Sequence, residues 1–296
     1  MFIREGVKVG GKELSIETGR MAKQADGAVV VRYGDTMVLV TAVSLDTERE
    51  VDFLPLTVEY QEKTFAAGKI PGGYFKREGR PTETEILTCR LIDRPCRPLF
   101  PKGWRHESQI IALVLSSDRE NSSDVLAMTG ASAALTLSNI PWDGPIAGVR
   151  VGRVEGKLVI NPTLPEQEKS DINLVMAVSK DAVVMVEGGA DSVSENDVID
   201  ALLFGQAEAQ PILQLQEKLR AAVGKPKRAF SPKTIDPALV ARVREVASGP
   251  VAEAYRVGEK QARTDAIARA HEAAKTALAA EFPGAEKDIG KIVHDV

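Results

Sequence analysis

Between Lys69 and Arg105 the chain reads KIPGGYFKREGRPTETEILTCRLIDRPCRPLFPKGWR, and here lie most of the residues whose types and spacing could do chemistry. The stretch holds nine basic residues (Lys69, Lys76, Arg77, Arg80, Arg90, Arg94, Arg97, Lys102, Arg105) and four acids (Glu78, Glu83, Glu85, Asp93). Its net charge is +5, in a chain whose formal net charge is −4, so the remainder carries −9. One strongly basic block in an acidic protein points to a polyanion partner. Pro71-Gly-Gly73 and Gly79 bracket Tyr74, Phe75, Lys76 and Arg77. Glycines permit close backbone approach. Two adjacent rings followed by two cations suit single-stranded RNA, because bases stack on rings for about 1–3 kcal/mol each while cations meet phosphates. The competing reading plugs one ring into the core and leaves the charges solvated.

The second half of the block reads as a helix. Thr82-Glu-Thr-Glu85 has the form of a capping box, and Pro95 predicts an end near Arg94. Ile86, Leu87 and Leu91 would form its apolar face. Arg90 and Arg94, at i and i+4, project together and could clamp phosphates with planar, bidentate geometry. Ion pairing with Asp93 or another carboxylate is the alternative. Cys89 and Cys96 read as small hydrophobes rather than nucleophiles, with no histidine near in sequence. Asp118 and Asp143 read as turn residues.

The elements that must hold this block mix strands and helices. Ala28–Arg32 and Met37–Thr41 are β-branched runs around the turn Tyr33-Gly-Asp-Thr36 and form a hairpin. Lys12–Glu17 and Ile110–Leu115 are further strands. Val149–Val154 with Leu158–Ile160, and Ile172–Val178 with Ala182–Glu187, form two more hairpins. Successive hairpins imply mixed or antiparallel sheets, an α/β (α+β) class rather than a doubly wound parallel sheet. Ser123–Ser138 carries Gly130, Ala131, Ala133 and Ala134, a thin helix suited to close packing on a sheet. Ser194 starts another helix, and a separate one is expected after Pro211. Lys225-Pro-Lys-Arg-Ala-Phe-Ser-Pro232 is a basic, proline-flanked linker. Beyond it Asp236–Ser248, Val251–Glu281 and Ala285–His294 are alanine-rich and helical in period. The division expected is 1–226 and a small all-α domain, 227–296.

Composition excludes several classes. At 44% hydrophobic and 27% charged residues the balance is that of an ordinary globular protein. No apolar run approaches membrane-spanning length, and the start of the chain lacks the apolar region of a signal peptide. Two cysteines without a CxxC, and three scattered histidines (His106, His271, His294), argue against a zinc site. Few cysteines fit a reducing compartment; the expected location is cytoplasmic, with no membrane partner.

Phe65-Ala-Ala-Gly-Lys-Ile-Pro-Gly-Gly-Tyr-Phe-Lys-Arg-Glu-Gly-Arg80 and Arg90-Leu-Ile-Asp-Arg-Pro-Cys-Arg-Pro-Leu-Phe-Pro101 resemble the signature of the first ribonuclease-PH-like domain in the polynucleotide phosphorylase family. Thr129–Leu135, Gly144–Gly148 and the opening hairpin resemble that family too. The resemblance covers the whole chain. It implies a ribonuclease-PH-like β-α domain followed by a helical linker domain. It further implies phosphate-dependent, processive 3′-to-5′ degradation of RNA that releases nucleoside diphosphates, with inorganic phosphate as co-substrate and Mg2+ held in a second, catalytic domain. Partners so implied are single-stranded RNA, two further copies in a homotrimeric ring, and RNA degradosome components. The polypeptide is expected to continue past Val296 with that second domain and KH and cold-shock-like modules. By the same resemblance Tyr74, Phe75, Lys76 and Arg77 form an RNA-gripping constriction, and Arg80, Arg90 and Arg94 line the path. Where the family commonly shows Phe-Phe-Arg-Arg, Lys76 lacks the bidentate fork.

The resemblance also implies that this copy is catalytically silent and binds no metal. The active copy opens a helix with a Gly-Ser-Ser loop that cradles phosphate; the comparable place here reads Asn121-Ser-Ser-Asp124, putting a negative charge where an anion should sit. The active copy's Asp-x-Asp-Phe-Lys strand is matched by Asp171-Ile-Asn173-Leu174-Val175, which loses a metal-binding carboxylate and an ammonium. Two other readings stay open: a stand-alone RNA-binding or scaffold protein, and an α/β enzyme using the arginines on a small anionic substrate.

Overall fold

The computed structural model describes every residue except Phe75 and Lys233. Six strands, β1 (Ile3–Val9), β2 (Lys12–Thr18), β3 (Gly27–Tyr33), β4 (Thr36–Glu48), β5 (Leu56–Glu62) and β6 (His106–Ser116), form one sheet in the order β1-β2-β3-β4-β6-β5. Neighbours run antiparallel except β5 and β6, which are parallel. A parallel pair needs a crossover, and the intervening segment supplies it as helix α1 (Glu83–Cys96). The predicted hairpin of β3 and β4 closes at Tyr33↔Thr36. Gly34 in its turn has φ +62°, and a Cβ there would meet Asp118 Oδ2 at 2.7 Å.

A second sheet is wholly antiparallel, in the order β10-β9-β7-β8, from β7 (Ala147–Val154), β8 (Lys157–Ile160), β9 (Ile172–Val178) and β10 (Val183–Ala190). Helix α2 (Ser123–Leu137) packs on β3 and β4 and on β7, and every residue from Val125 onward is buried. Its small residues make this close approach possible: a Cβ on Gly130 would come within 2.5 Å of Val40 Cγ2. A short helix α3 (Leu164–Gln167) precedes β9. Helix α4 (Glu195–Val223) packs on β1, β7 and α2. Its buried Gln216 accepts from Ser132 at 2.7 Å and donates to the Ile146 carbonyl at 2.9 Å.

Two prolines do not end helices as the sequence suggests. α4 runs unbroken through Pro211. The amide lost there would have served the carbonyl of Ala207, an exposed residue. Flanking Ala209, Ile212, Leu213 and Leu215 are buried and hold both halves in line. α1 likewise passes Pro95 and ends at Cys96, because the missing bond falls in its last turn.

The apolar face expected for α1 holds only at Leu91, which packs against the core. Ile86 and Leu87 are 52% and 47% exposed, while Glu85, Thr88, Ile92, Pro95 and Cys96 face inward. The reason is that α1 seals the open edge of β5 with polar groups. Glu62 N–H donates to the Glu85 carboxylate at 2.8 Å and Tyr60 N–H to Cys89 Sγ at 3.1 Å. The Arg97 guanidinium reaches the Leu54 and Leu56 carbonyls at 3.0 and 3.2 Å. Unpaired strand edges invite foreign strands, and this one is covered along its length.

The chain divides into two compact units, Met1–Pro232 and Lys233–Val296. The first extends through the basic linker because that segment is pinned to it. Lys225 Nζ donates to the Asp26 carbonyl, and Lys227 Nζ caps the α2 C-terminus through the carbonyls of Leu135, Thr136 and Ser138. Arg228 lies over the Trp104 ring, and Phe230 meets that ring edge-on. In the second unit α5 (Pro237–Tyr255), α6 (Lys260–Leu278) and α7 (Glu286–His294) enclose Leu239, Val243, Ala274, Leu278, Ile289 and Val293. α5 passes through Pro250, so the break expected at Gly249-Pro250 comes instead just before Glu259, which caps α6. Among the described residues no helix is long and apolar enough to cross a membrane.

Candidate nucleic-acid interface

The glycine-bracketed loop leaves the body of the first unit after a 3-10 turn (Thr64–Ala67) that ends on Gly68 in the left-handed region. A tether holds it to the body: Thr64 N–H and Oγ1 donate to the Glu78 carboxylate at 3.0 and 3.1 Å. Around that tether Tyr74 is 93% exposed, and Lys76, Arg77 and Arg80 are exposed. Tyr74 is therefore no core plug. Phe75, the other ring of the predicted grip, lies outside the described residues. Ile70, 80% exposed, adds an apolar group that the sequence reading left out.

The loop runs directly into α1 through the capping box, with Thr82 Oγ1 accepting from Glu85 N–H and the Glu85 carboxylate from Thr82 N–H. These bonds hold the Glu85 carboxyl below its usual range, against the opposing effect of burial. With Glu85, Thr88, Ile92, Pro95 and Cys96 turned inward, the outer side of α1 presents Arg90 and Arg94, both exposed, beside Ile86 and Leu87. The two arginines differ. Arg90 enters no ion pair among the described residues, whereas Arg94 pairs with Glu187 on β10. Arg97 does not join them; its fork lies on Asp93 and the β5-side carbonyls. Nothing in the local sequence signals Glu187 as a partner, because it lies 93 positions away.

The start of α2 carries Asn121-Ser-Ser-Asp124, the segment comparable to a phosphate-cradling loop. Ser122 occupies the N-cap without making a capping bond, and its hydroxyl accepts from Gln167. Ser123 Oγ and the Tyr60 hydroxyl are 2.7 Å apart, and burial pushes the Tyr60 hydroxyl far above the usual phenol range. A cleft of about 250 Å3 opens here, lined in part by Tyr60, Glu62, Lys63, Ser122, Ser123 and Asp124. Sequence reasoning missed the residue that organises this corner. Arg150, from β7, pairs with Asp124 and donates to Asn173 of β9, its side chain only 12% exposed. Its guanidinium thus sits between the start of α2 and β9. Val175 beside them is buried. Asp124 is held by Arg150, and among the described residues no group of three or more His, Cys, Asp or Glu is placed to hold a metal.

The remaining candidates are structural. Asp118 accepts from Thr36 Oγ1, from the Asp35, Glu120 and Asn121 amides and from Asn121 Nδ2, knitting the β3–β4 turn to the loop before α2. Those bonds hold its carboxyl well below the usual carboxylate range despite desolvation. Asp143 is exposed, and burial pushes the Cys89 and Cys96 thiols up.

Two sheets packed through a buried small-residue helix, with a sealed edge strand and a basic loop, define a ribonuclease-PH-like fold. Rice (Oryza sativa) Rrp46, a crystal structure, shares it with a TM-score of 0.54 at 14% identity, over 74% of this chain and 94% of that one. Residues 10–141 match the family model "3′ exoribonuclease family, domain 1" and residues 144–208 match its domain 2. The chain belongs to the 3′ exoribonuclease family. Within it, the chain is 55% identical over its whole length to polyribonucleotide nucleotidyltransferase of Myxococcus xanthus, covering 42% of that protein. It is 56% identical over 97% of its length to the enzyme of the same name from Sorangium cellulosum, covering 38% of it. The chain thus spans about two fifths of the length of these relatives.

Proposed function

We propose that this chain is the RNA-gripping, catalytically silent part of a phosphorolytic 3′-to-5′ exoribonuclease of the polyribonucleotide nucleotidyltransferase kind. The observation that carries the reading is the pairing of two opposites in one unit. Tyr74, Lys76, Arg77, Arg80 and Arg90 are displayed to solvent on a tethered loop and the helix it feeds. At the α2 start, Arg150 ties up Asp124 and Asn173. Exposed rings and cations bind a strand. Phosphorolysis needs a phosphate cradle and usually metal-binding carboxylates, and here the acid is already neutralised by an internal guanidinium. Inorganic phosphate and magnesium would then be bound by another domain of a longer polypeptide. The relatives' greater length supports that view. In this reading the protein works in the cytoplasm, Phe75 adds a second stacking ring, Arg94 a further phosphate contact, and three copies surround the strand, with degradosome components as further partners.

The test is an assay of nucleoside diphosphate release from single-stranded RNA with phosphate and magnesium. The 296-residue chain is expected to be inactive, and a polypeptide extended to the length of its relatives active. Release by the shorter chain would overturn the silent assignment. Particle mass in solution tests the ring, with three copies expected.

A further inference from the structure

Arg90 and Arg94 stand one turn apart on the outer side of α1, yet only Arg94 is matched with a carboxylate. The partner, Glu187, comes from a different element, β10, and the two side chains are 51% and 50% exposed. Beyond Glu187 the strand runs Gly188-Gly189-Ala190, exposed throughout and bare of large side chains. Arg94 can therefore be approached from solvent while it is paired. An exposed ion pair is weak and readily exchanged. A phosphodiester offers a guanidinium the same planar pair of oxygens that a carboxylate does.

We propose that Glu187 is an internal competitor for phosphate at Arg94: a carboxylate that a single-stranded RNA must displace, so that the strand is held firmly at Arg90 and loosely at Arg94. The inference rests on the RNA-binding reading above and adds a residue that sets the strength of the grip. A competitor of this kind lowers affinity without abolishing the contact, which suits a strand that must slide past.

The experiment measures binding of a labelled oligoadenylate to the whole chain and to Glu187→Gln, Arg94→Gln and the double variant. Both sites are exposed, so unchanged melting temperatures are expected for all three variants. Glu187→Gln alone should tighten binding about two- to fivefold, the span of an exposed pair, and Arg94→Gln should weaken it. In the Arg94→Gln background, Glu187→Gln should add nothing. Equal tightening in both backgrounds would mean that Glu187 merely repels RNA at a distance, and would overturn the proposal. So would unchanged or weaker binding by Glu187→Gln alone, which would make the pair a support that orients Arg94. A parent chain that fails to bind the oligonucleotide would instead sink the RNA-binding reading, and this inference with it.

Discussion

Tyr74 carries the largest share of exposed ring among the aromatic residues described in the basic segment, and its surroundings explain why a ring can afford to stand there. Glu78 anchors the loop on the Thr64 backbone and hydroxyl, so the ring is presented on a tethered support. Replacing Tyr74 and Phe75 by Ala should weaken single-stranded RNA binding by about 1–3 kcal/mol per stacked base, with little change in melting temperature. Unaltered affinity in a folded variant would remove both rings from the interface. Asp118 makes a different kind of test. Its carboxyl is held below its usual range, so its contribution to stability is present above about pH 4 and is lost as pH falls further. Asp118→Asn should therefore melt lower than the parent at neutral pH, the gap narrowing in acid; parallel melting curves from pH 7 to pH 3 would contradict this. Residue identities alone exposed the cations and rings but not their partners. Glu187 and Arg150 are ordinary letters in strands, and only the fold brings them to Arg94 and Asp124.

Three hairpins were legible from their turn chemistry, and the edge strands β1 and β5 were missed. The hairpin of β3 and β4 and both hairpins of the second sheet follow from short turns between β-branched runs. β5 gives no such signal, whereas β1 was overlooked although Gly10-Gly11, both at positive φ, turn it into β2 at Val9↔Lys12. β1 alternates charged and apolar residues as an edge strand does, and β5 owes its place to α1. α1 misleads in the opposite direction. Its inward face combines core packing by Ile92 and Cys96 with hydrogen bonding of Glu85 to a strand edge, so Glu85 is buried while Leu87 is exposed. The small residues of α2 were read correctly, and they make a sharp claim. Gly130→Ala would force a methyl against Val40 and Val31, and overpacking of this kind costs about 1–3 kcal/mol. The ordinary helix-propensity gain from Gly to Ala is about 1 kcal/mol. A variant more stable than the parent would show that α2 stands farther from the sheet than described.

For the molecule as a whole, family and function come from different sources. The family models matched over residues 10–141 and 144–208 place the chain in the 3′ exoribonuclease family, while the proposed interface rests on charge placed by one segment of an otherwise acidic chain. The salt dependence of single-stranded RNA binding tests that central claim most directly. Each phosphate neutralised contributes a slope of about −0.7 in log affinity against log salt for a single strand. The parent should show a steep slope. A variant with Lys76, Arg77, Arg80 and Arg90 all changed to Gln should bind weakly, with a slope shallower by about 3, the sum of four such contacts. If parent and variant bind with the same affinity and slope, the strand is not gripped by this segment and the account fails.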